Sequence, residues 1–317
     1  MVRTFDMFCG AGLGSRGAAD AGVRIVGGVD ASSLAVKTFK DNFSDAVVFN
    51  RPVEYLSPRH VLDKVGTIDL LLASPECTNH SCARGARPRQ EGSRETALQV
   101  LRFAKVIQPR WVVIENVIHM RPWERYAELV EELEKFGYNV REHILDASDF
   151  GVPQRRRRLF LLCDRLDYAP IAIRKQSGPK PAAKAVLDPP GTWMTSRLHH
   201  RKRAKATLRR AQRAIDALGP SESFLLVYYG SDGAGGFQSL DVPLRTVTTL
   251  DRFALVQPLH REHTIRMLQV SELSRAMGLK DHRLERGSRR DRIQLLGNGV
   301  CSPVMKAVVA TLCGLSN

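Results

Sequence analysis

Short apolar runs alternate with amphipathic stretches through the first half of the chain. The apolar runs have strand length and end at turn residues, whereas the stretches between them repeat at helical spacing. We predict strands at residues 4–8, 23–29, 46–49, 68–72, 111–114, 139–145 and 159–162. We predict helices at 15–21, 31–39, 94–107 and 123–136, with another before the fourth strand. Alternation of this kind predicts a parallel, doubly wound α/β sheet of the Rossmann-like class.

The second half of the chain has a different pattern. Prolines interrupt residues 165–190, helical periodicity returns only at 203–218, and residues 224–256 look β-like around a glycine-rich turn. Helices are again predicted at 270–277 and 304–315, with Gly297-Asn298-Gly299-Val300 between them. We therefore predict a large domain at 1–164, a smaller domain at 165–262, and C-terminal helices at 263–317 that return to the large domain.

Polar residues follow several of the predicted strands, at the sheet edge where open α/β sheets bind their ligands. Cys77 lies in the loop Ala73–Ser81 after the fourth strand, and a cysteine there is either a nucleophile or a small buried residue. Gly10 and Gly12 follow the first strand and allow close approach to a ligand. Asp30 ends the second strand, where a carboxylate can accept hydrogen bonds from ribose hydroxyls. These features alone fit an NAD enzyme equally well.

The net charge of the chain indicates the class of its binding partner. The chain of 317 residues carries a formal net charge of +15, with dense basic runs at 155–158 and 197–213. Such an excess indicates a polyanionic partner, and nucleic acid is the default. The six cysteines form no CxxC pair and no zinc-ligand spacing, so no metal is expected. No membrane-span or signal-peptide pattern is recognised, and the expected location is the cytoplasm.

Six short motifs follow one another along the chain, and their order matters for the interpretation. They are Phe8-Cys9-Gly10-Ala11-Gly12, the loop 74–81, Glu115-Asn116-Val117, Gln154 to Arg158, the segment 243–249 (P-L-R-T-V-T-T), and Gly297-Asn298-Gly299-Val300. With them the chain resembles the DNA (cytosine-5) methyltransferase family, whose motifs are F-x-G-x-G, G-P-P-C-Q-x-F-S, E-N-V, Q-x-R-x-R, a segment after the target-recognition region, and G-N-A-V. Each match is weak alone, but six in order are specific.

The resemblance assigns catalytic roles. It implies that the Cys77 thiolate adds to carbon 6 of cytosine, which activates carbon 5 for methylation. Glu115 would donate a proton or a strong hydrogen bond to ring nitrogen 3, where negative charge develops. Arg158 would hold the carbonyl oxygen of the base, and Arg156 would position the site or contact phosphate.

The resemblance also implies a methyl donor and a nucleic-acid substrate. The donor is S-adenosyl-L-methionine, and the expected cofactor-binding residues are Phe8, Gly10, Gly12, Asp30, Asn50, Pro75, Asn298 and Val300. The substrate is double-stranded DNA with its target cytosine flipped out. The expected nucleic-acid-binding residues are Ser81, Arg84, Gln154, Arg155, Arg201, Arg203 and Arg245. The resemblance further suggests a monomer from a bacterium or phage, with a cognate restriction endonuclease as a candidate partner.

The loop around Cys77 departs from the family pattern. Glu76 stands where the family has proline, Thr78 replaces glutamine, and His80 replaces phenylalanine. A neighbouring carboxylate raises the pKa of a thiol unless a cation compensates, and Arg84 or Arg87 could be that cation.

Other functions remain open from the sequence. An RNA (tRNA) cytosine methyltransferase shares the fold and motifs, although a separate recognition domain favours DNA. A nucleic-acid-binding homologue with altered or lost catalysis is a second alternative, and retention of the motif residues argues against it. A Rossmann dehydrogenase fits only the N-terminal loop.

Overall fold

A seven-stranded sheet forms the centre of the computed structural model, which describes residues 1–75, 96–229, 235–260 and 262–315. The strands are β1 (Arg3–Met7), β2 (Arg24–Asp30), β3 (Val47–Asn50), β4 (Leu70–Ala73), β5 (Trp111–Asn116), β6 (Asn139–Asp146) and β7 (Arg157–Asp164). Their order across the sheet is β3-β2-β1-β4-β5-β7-β6. The helices between them are α1 (Leu13–Asp20), α2 (Ser33–Asn42), α3 (Pro58–Val65), α4 (Gln99–Ile107) and α5 (Tyr126–Lys135). This confirms the predicted α/β class.

Both faces of this sheet are buried, as its continuous apolar strands predict. Phe5, Leu71 and Val112 pack into the core on one face. Leu72 and Val113 alternate with them along the same strands and pack into the core on the other face. The central strands are therefore fixed from both sides, and their carboxyl ends form a rigid edge.

One strand runs against the predicted parallel direction. β7 pairs antiparallel with β5 on one side and with β6 on the other. The reason is local: only the short 3-10 turn Ala147–Phe150 and residues 151–156 separate β6 from β7, which is too little chain for the helical crossover that a parallel pair needs. The sheet is therefore mixed, with a parallel majority.

A second sheet is antiparallel throughout. It comprises β8 (Ser196–Arg197), β9 (Phe224–Val227), β10 (Phe237–Ser239), β11 (Phe253–Leu259) and β12 (Glu262–Met267) in the order β10-β9-β11-β12-β8. Helix α6 (Lys205–Leu218) covers one face, where Phe224 and Ala254 join its apolar side. Leu225 and Leu255 point the other way and join the large core. β12 starts at 262, where the small domain was expected to end.

The last helices pack against the large domain. They are α7 (Val270–Ala276), α8 (Arg289–Asn298) and α9 (Ser302–Leu312), and α8 occupies residues that the sequence analysis left between helices. α9 packs on α1 so closely that a Cβ on Gly17 would lie 2.2 Å from the Ser302 carbonyl oxygen. Within the described ranges, Arg289–Leu312 alone has the length and apolar character of a membrane span, and 61% of its apolar 18-residue window is buried in this fold. That burial is typical of core helices.

Candidate active site

A cavity of about 570 Å³ opens at the carboxyl ends of the central strands. Residues from the ends of β1, β2, β4 and β5 form its floor and walls, and α8 with the start of β7 closes it on the other side. The residues predicted as sites that line it are Phe8, Gly10, Asp30, Pro75, Glu115, Arg156, Arg158, Asn298 and Val300. The structure therefore brings together predicted cofactor and catalytic residues that are up to 292 positions apart, between 8 and 300.

The turn after β1 leaves space for a ligand. Gly10 has φ of +53°, and a Cβ there would have no atom within 4 Å, so its open side faces the cavity region. Phe8 also has a positive φ, of 59°, which is rare for a bulky residue and is typical of strained functional turns. Gly12 (φ +85°) is packed instead, because a Cβ there would lie 2.9 Å from the Phe43 ring. Gly10 fits the expected role, whereas Gly12 shapes the turn.

Asp30 is held at the tip of β2 by two backbone groups. The N–H of Gly10 donates to Oδ2 at 2.9 Å, and the N–H of Ser32 donates to Oδ1 at 2.8 Å. Burial raises the pKa of Asp30, and these two hydrogen bonds oppose the rise. The carboxylate is thus oriented at the cavity wall, where the sequence predicted a ribose contact.

Asn50 does not lie where a cofactor-binding residue was predicted. Its side-chain amide donates to the carbonyl oxygens of Asp30 and Ala31, at 3.2 and 3.1 Å. It is absent from the cavity lining, where Pro52, Val53 and Glu54 take that place. Asn50 therefore fixes the turn after β2, and this placement does not support the expected cofactor contact at Asn50.

Glu115 and Arg158 form a shielded ion pair inside the cavity. Glu115 is the fifth residue of β5 and is 6% exposed, and its Oε1 lies 3.3 Å from Nε of Arg158. Glu115 pairs with Phe160 across the antiparallel ladder, so Arg158 is its diagonal neighbour on the same face. Burial raises the pKa of Glu115, while the charges of Arg158 and then Arg156 oppose the rise. The β7 reversal thus creates this pair.

Arg156 is buried, and its guanidinium binds backbone carbonyl oxygens of the protein. Its guanidinium donates to the carbonyl oxygens of Val247, Gly297 and Gly299 at 2.8 to 2.9 Å. Since it is 3% exposed, a phosphate contact does not fit this placement. Arg156 joins the start of β7 to the segment before β11 and to the end of α8, which is a positioning role. A Cβ on Gly297 would lie 2.3 Å from the Thr248 backbone, which explains the glycine there.

Asn116 links β5 to the loop after β4. Its amide donates to the Pro75 carbonyl oxygen at 3.1 Å, and its own Oδ1 accepts the Val117 N–H at 2.8 Å. Pro75 is the last described residue before 96, and the predicted residues Cys77, Ser81 and Arg84 lie outside the described residues, as do Glu76, Thr78, His80 and Arg87. The hydrogen bond therefore fixes the start of the segment that carries the predicted nucleophile.

Gln154 does not fit its predicted contact with nucleic acid. It is fully buried, and its amide donates to the Ala276 carbonyl oxygen at 2.6 Å while its Oε1 accepts the Val247 N–H at 2.8 Å. The side chain thus ties the start of β7 to α7 and to the segment before β11. The resemblance implied a nucleic-acid contact for Gln154, but these long-range partners place it in the core.

The other described residues among those predicted to bind nucleic acid are at least partly accessible. Arg155 and Arg201 are exposed. Arg203 donates to the Leu198 and Arg197 carbonyl oxygens and to Ser196 Oγ, so much of its guanidinium orders the chain between β8 and α6. Arg245 donates to the Phe237 carbonyl oxygen at 3.1 Å.

Several cavity residues were missed by the sequence analysis. They include Asp6, Glu54, Asp291, Gln294 and Leu295. Asp6 lies inside an apolar strand run. This position is unusual for an acid, and it could have identified Asp6 as a candidate site residue. Asp291 and Gln294 lie on α8, a helix that was not predicted. Without that helix, the spacing of the two residues did not identify them as neighbours in a site.

The chain belongs to the C-5 cytosine-specific DNA methylase family, whose model matches residues 2–313. Type II methyltransferase M.HgiDI of Herpetosiphon aurantiacus is 32% identical over 164 residues, covering 52% of this chain and 52% of that protein. M.AgeI of Thalassovita gelatinovora is 30% identical over 167 residues, covering 50% and 39%. The match spans about half, or less, of the length of these relatives.

Solved structures share the fold along the whole chain. The S. pombe Dnmt2 methyltransferase superposes with a TM-score of 0.70 at 16% identity, covering 99% of this chain and 98% of that one. A putative DNA modification methyltransferase encoded within an E. coli prophage gives a TM-score of 0.71 at 17% identity, covering 99% of both chains. At such identities the likeness concerns the fold.

Proposed function

We propose that this chain transfers a methyl group from S-adenosyl-L-methionine to carbon 5 of a flipped-out cytosine in DNA. The observation that carries the proposal is one shared cavity. It joins the Gly10 turn and the oriented Asp30 carboxylate to the buried pair of Glu115 and Arg158. Membership of the C-5 cytosine-specific DNA methylase family and the Type II methyltransferase relatives support it.

The residues at one side of the cavity suit the donor. The open side of Gly10 leaves room for a ligand to approach the backbone, and Asp30 can accept hydrogen bonds from ribose hydroxyls. Phe8, Pro75, Asn298 and Val300 complete the proposed contact set. When bound, S-adenosylmethionine supplies an electrophilic methyl group. The protein must then orient it and exclude water.

The other side of the cavity suits the base. We propose that the Cys77 thiolate forms a bond to carbon 6, moving electron density toward carbon 5 and ring nitrogen 3. Glu115 would place a proton at nitrogen 3, because burial raises its pKa and favours the protonated acid. Arg158 limits that rise and can hold the carbonyl oxygen of the base. Arg156 acts through the backbone as a positioning residue.

The contacts to the strand and the domain division are proposals as well. Ser81, Arg84, Arg155, Arg201 and Arg245 are proposed to contact DNA, with a smaller part from Arg203.

The domains are proposed as 1–164, 165–267 and 268–317, with the second boundary moved past β12 because β12 belongs to the second sheet. A monomer, a bacterial or phage-encoded cytoplasmic enzyme, and a cognate restriction endonuclease fit the Type II relatives.

The test is transfer of labelled methyl from S-adenosylmethionine to duplex DNA, with tRNA assayed alongside and Cys77→Ser as the control. We expect 5-methylcytosine in DNA and none with the variant. Label in tRNA alone would replace the DNA assignment with an RNA one. Donor binding without label in either substrate would instead support the nucleic-acid-binding alternative.

A further inference from the structure

The small domain carries a dense run of positive charge that no acid interrupts. Residues 189–215 contain eight lysines and arginines and neither aspartate nor glutamate. The eight cations are Arg197, Arg201, Lys202, Arg203, Lys205, Arg209, Arg210 and Arg213. The segment includes β8 and most of α6. A run of this kind is costly for the folded chain unless its charges are used.

Four of these cations help to hold the small domain together. Arg203 and Arg213 donate hydrogen bonds to backbone carbonyl oxygens. Arg210 packs over a tyrosine ring, with 5.5 Å between the guanidinium carbon and the ring centroid. Arg197 lies 3.4 Å from a carboxylate oxygen of Glu262. These contacts account for half of the run.

The other four, Arg201, Lys202, Lys205 and Arg209, are exposed, and we call them the outer cations. Among the carboxylates in the described part of the chain, none forms a salt bridge with them. Lys205 and Arg209 are four residues apart and so lie on one side of α6. The first turn of α6 has no acid, and cations at the positive end of a helix dipole are unfavourable. The outer cations therefore repel one another, and an external anion would relieve that repulsion.

The second sheet separates the outer cations from the catalytic cavity. Ala211 of α6 and Phe224 of β9 belong to the core on one face of this sheet. Leu225 on the other face joins the core of the large domain, and so does Val247, whose carbonyl oxygen binds Arg156 at the cavity. The side of α6 that carries Lys205 and Arg209 points away from both cores. These cations therefore do not reach a base that is held in the cavity.

The exposed side chains of α6 indicate which polyanion fits. They are Lys205, Ala206, Arg209, Gln212, Arg213, Asp216 and Ala217. None is aromatic, so this side of the helix offers no platform on which the bases of a single strand could stack. None is large and apolar, so nothing would insert into a lipid surface. Cations without either kind of partner suit the regularly spaced phosphates of a duplex.

We propose that the outer cations bind the phosphodiester backbone of duplex DNA outside the target sequence, as an anchor that is independent of base sequence. This inference rests on the proposed function, because it takes DNA as the substrate, and it adds a second surface on which that DNA is held. The anchor contributes to DNA affinity and to its salt dependence. The choice of cytosine and the rate of methyl transfer belong to the cavity.

The experiment measures binding of the full chain to a duplex of about 40 base pairs that contains only A·T pairs, over salt concentrations of about 50 to 200 mM. Such a duplex has no cytosine, so the cavity has no target in it. The anchor variant carries Lys205→Gln and Arg209→Gln. The matched control carries Arg59→Gln and Lys64→Gln, which remove the same charge from exposed positions of α3.

We expect the anchor variant to bind the A·T duplex about tenfold more weakly at the lowest salt concentration. The slope of log affinity against log salt should fall by about 2, close to one for each lost phosphate contact. The control should stay within about twofold of wild type. Both variants should transfer methyl groups to cytosine-containing DNA at the wild-type single-turnover rate when DNA is saturating.

Three results would overturn the anchor. Equal losses in the two variants would mean that only net charge matters. Slower methyl transfer by the anchor variant at saturating DNA would place these cations at the target site. Unchanged A·T binding, with loss of binding to a single strand or to anionic vesicles, would assign the surface to another partner. If wild type binds the A·T duplex through α6 but methylates no DNA, the proposed function fails and the anchor stands.

Discussion

Arg158 and Glu115 meet diagonally across two antiparallel strands, with 3.3 Å between Nε and Oε1. The two side chains are 16% and 8% exposed, so water screens the pair little. Burial raises the pKa of Glu115, and the charge of the arginine opposes that rise. This balance suits a group that must hold a proton and also give it up.

Glu115→Gln should remove proton donation while keeping size and hydrogen bonding. We expect the rate of methyl transfer to fall by about 10²–10⁴-fold, the range for general acid catalysis, with donor affinity little changed. Single-turnover transfer and donor titration measure the two quantities. Glu128→Gln, a change at an exposed side chain of α5, is the control and should leave both unchanged. A variant that turned over normally would exclude Glu115 as the acid.

Arg156→Lys should destabilise the fold. Lysine cannot reach three carbonyl oxygens in fixed directions, so buried acceptors lose their donors. We expect a loss of about 2–4 kcal/mol in the free energy of unfolding, measured by urea denaturation. Arg157→Lys, at an exposed neighbouring position, should cost less than about 0.5 kcal/mol. Equal effects of the two changes would contradict the positioning role.

Gly297→Ala should separate α8 from the segment before β11. The new Cβ would lie 2.3 to 2.4 Å from backbone atoms of Thr248 and Thr249, which cannot move independently. We expect a loss of about 1–3 kcal/mol in the free energy of unfolding. Gly14→Ala is the matched change, because its nearest new contacts are ordinary at 3.7 to 3.8 Å, and it should be tolerated in the same urea experiment.

Asn116→Asp should misplace the start of the segment after β4. The substitution keeps the acceptor for the Val117 N–H but replaces the amide donor that binds the Pro75 carbonyl oxygen. Two oxygens then face each other. We expect methyl transfer to slow by about tenfold or more with donor affinity within a few-fold, since the change disturbs the start of the segment that carries the proposed nucleophile and not the proposed donor contacts. The split between transfer rate and donor dissociation constant is the measurement.

Asp6→Asn should change how stability depends on pH. Since the pKa of Asp6 is raised from 3.8 to about 7, the folded state binds its proton more tightly than the unfolded state. Its contribution to stability is therefore complete below about pH 4 and is lost as the pH rises through about 7. We expect Asp6→Asn to exceed wild type in unfolding free energy by about 3 kcal/mol at pH 8 and to match it near pH 4. Urea titrations at both pH values test this, and Asp45→Asn should follow wild type.

The sequence predicted the large sheet well because its signals are local. Apolar strand runs and the residues at their ends placed Asp30 and Glu115 correctly at one edge. The buried position of two other residues was not predicted, for a different reason. The resemblance implied that Arg156 positions the site or contacts phosphate and that Gln154 contacts nucleic acid. Their hydrogen-bond partners lie 91 to 143 residues away, at Val247, Ala276, Gly297 and Gly299. Nothing near them in the sequence indicates such partners.

The packing of α9 against α1 also has a consequence for folding during synthesis. The turn at Gly10 and Asp30 are synthesised before the wall from α8 and the α9 contact at Gly17, which come from residues 289–312. A chain still emerging from the ribosome has a half-formed cavity until those helices fold back. A chain that ends before residue 289 should therefore lack one wall of the cavity that we propose binds the methyl donor.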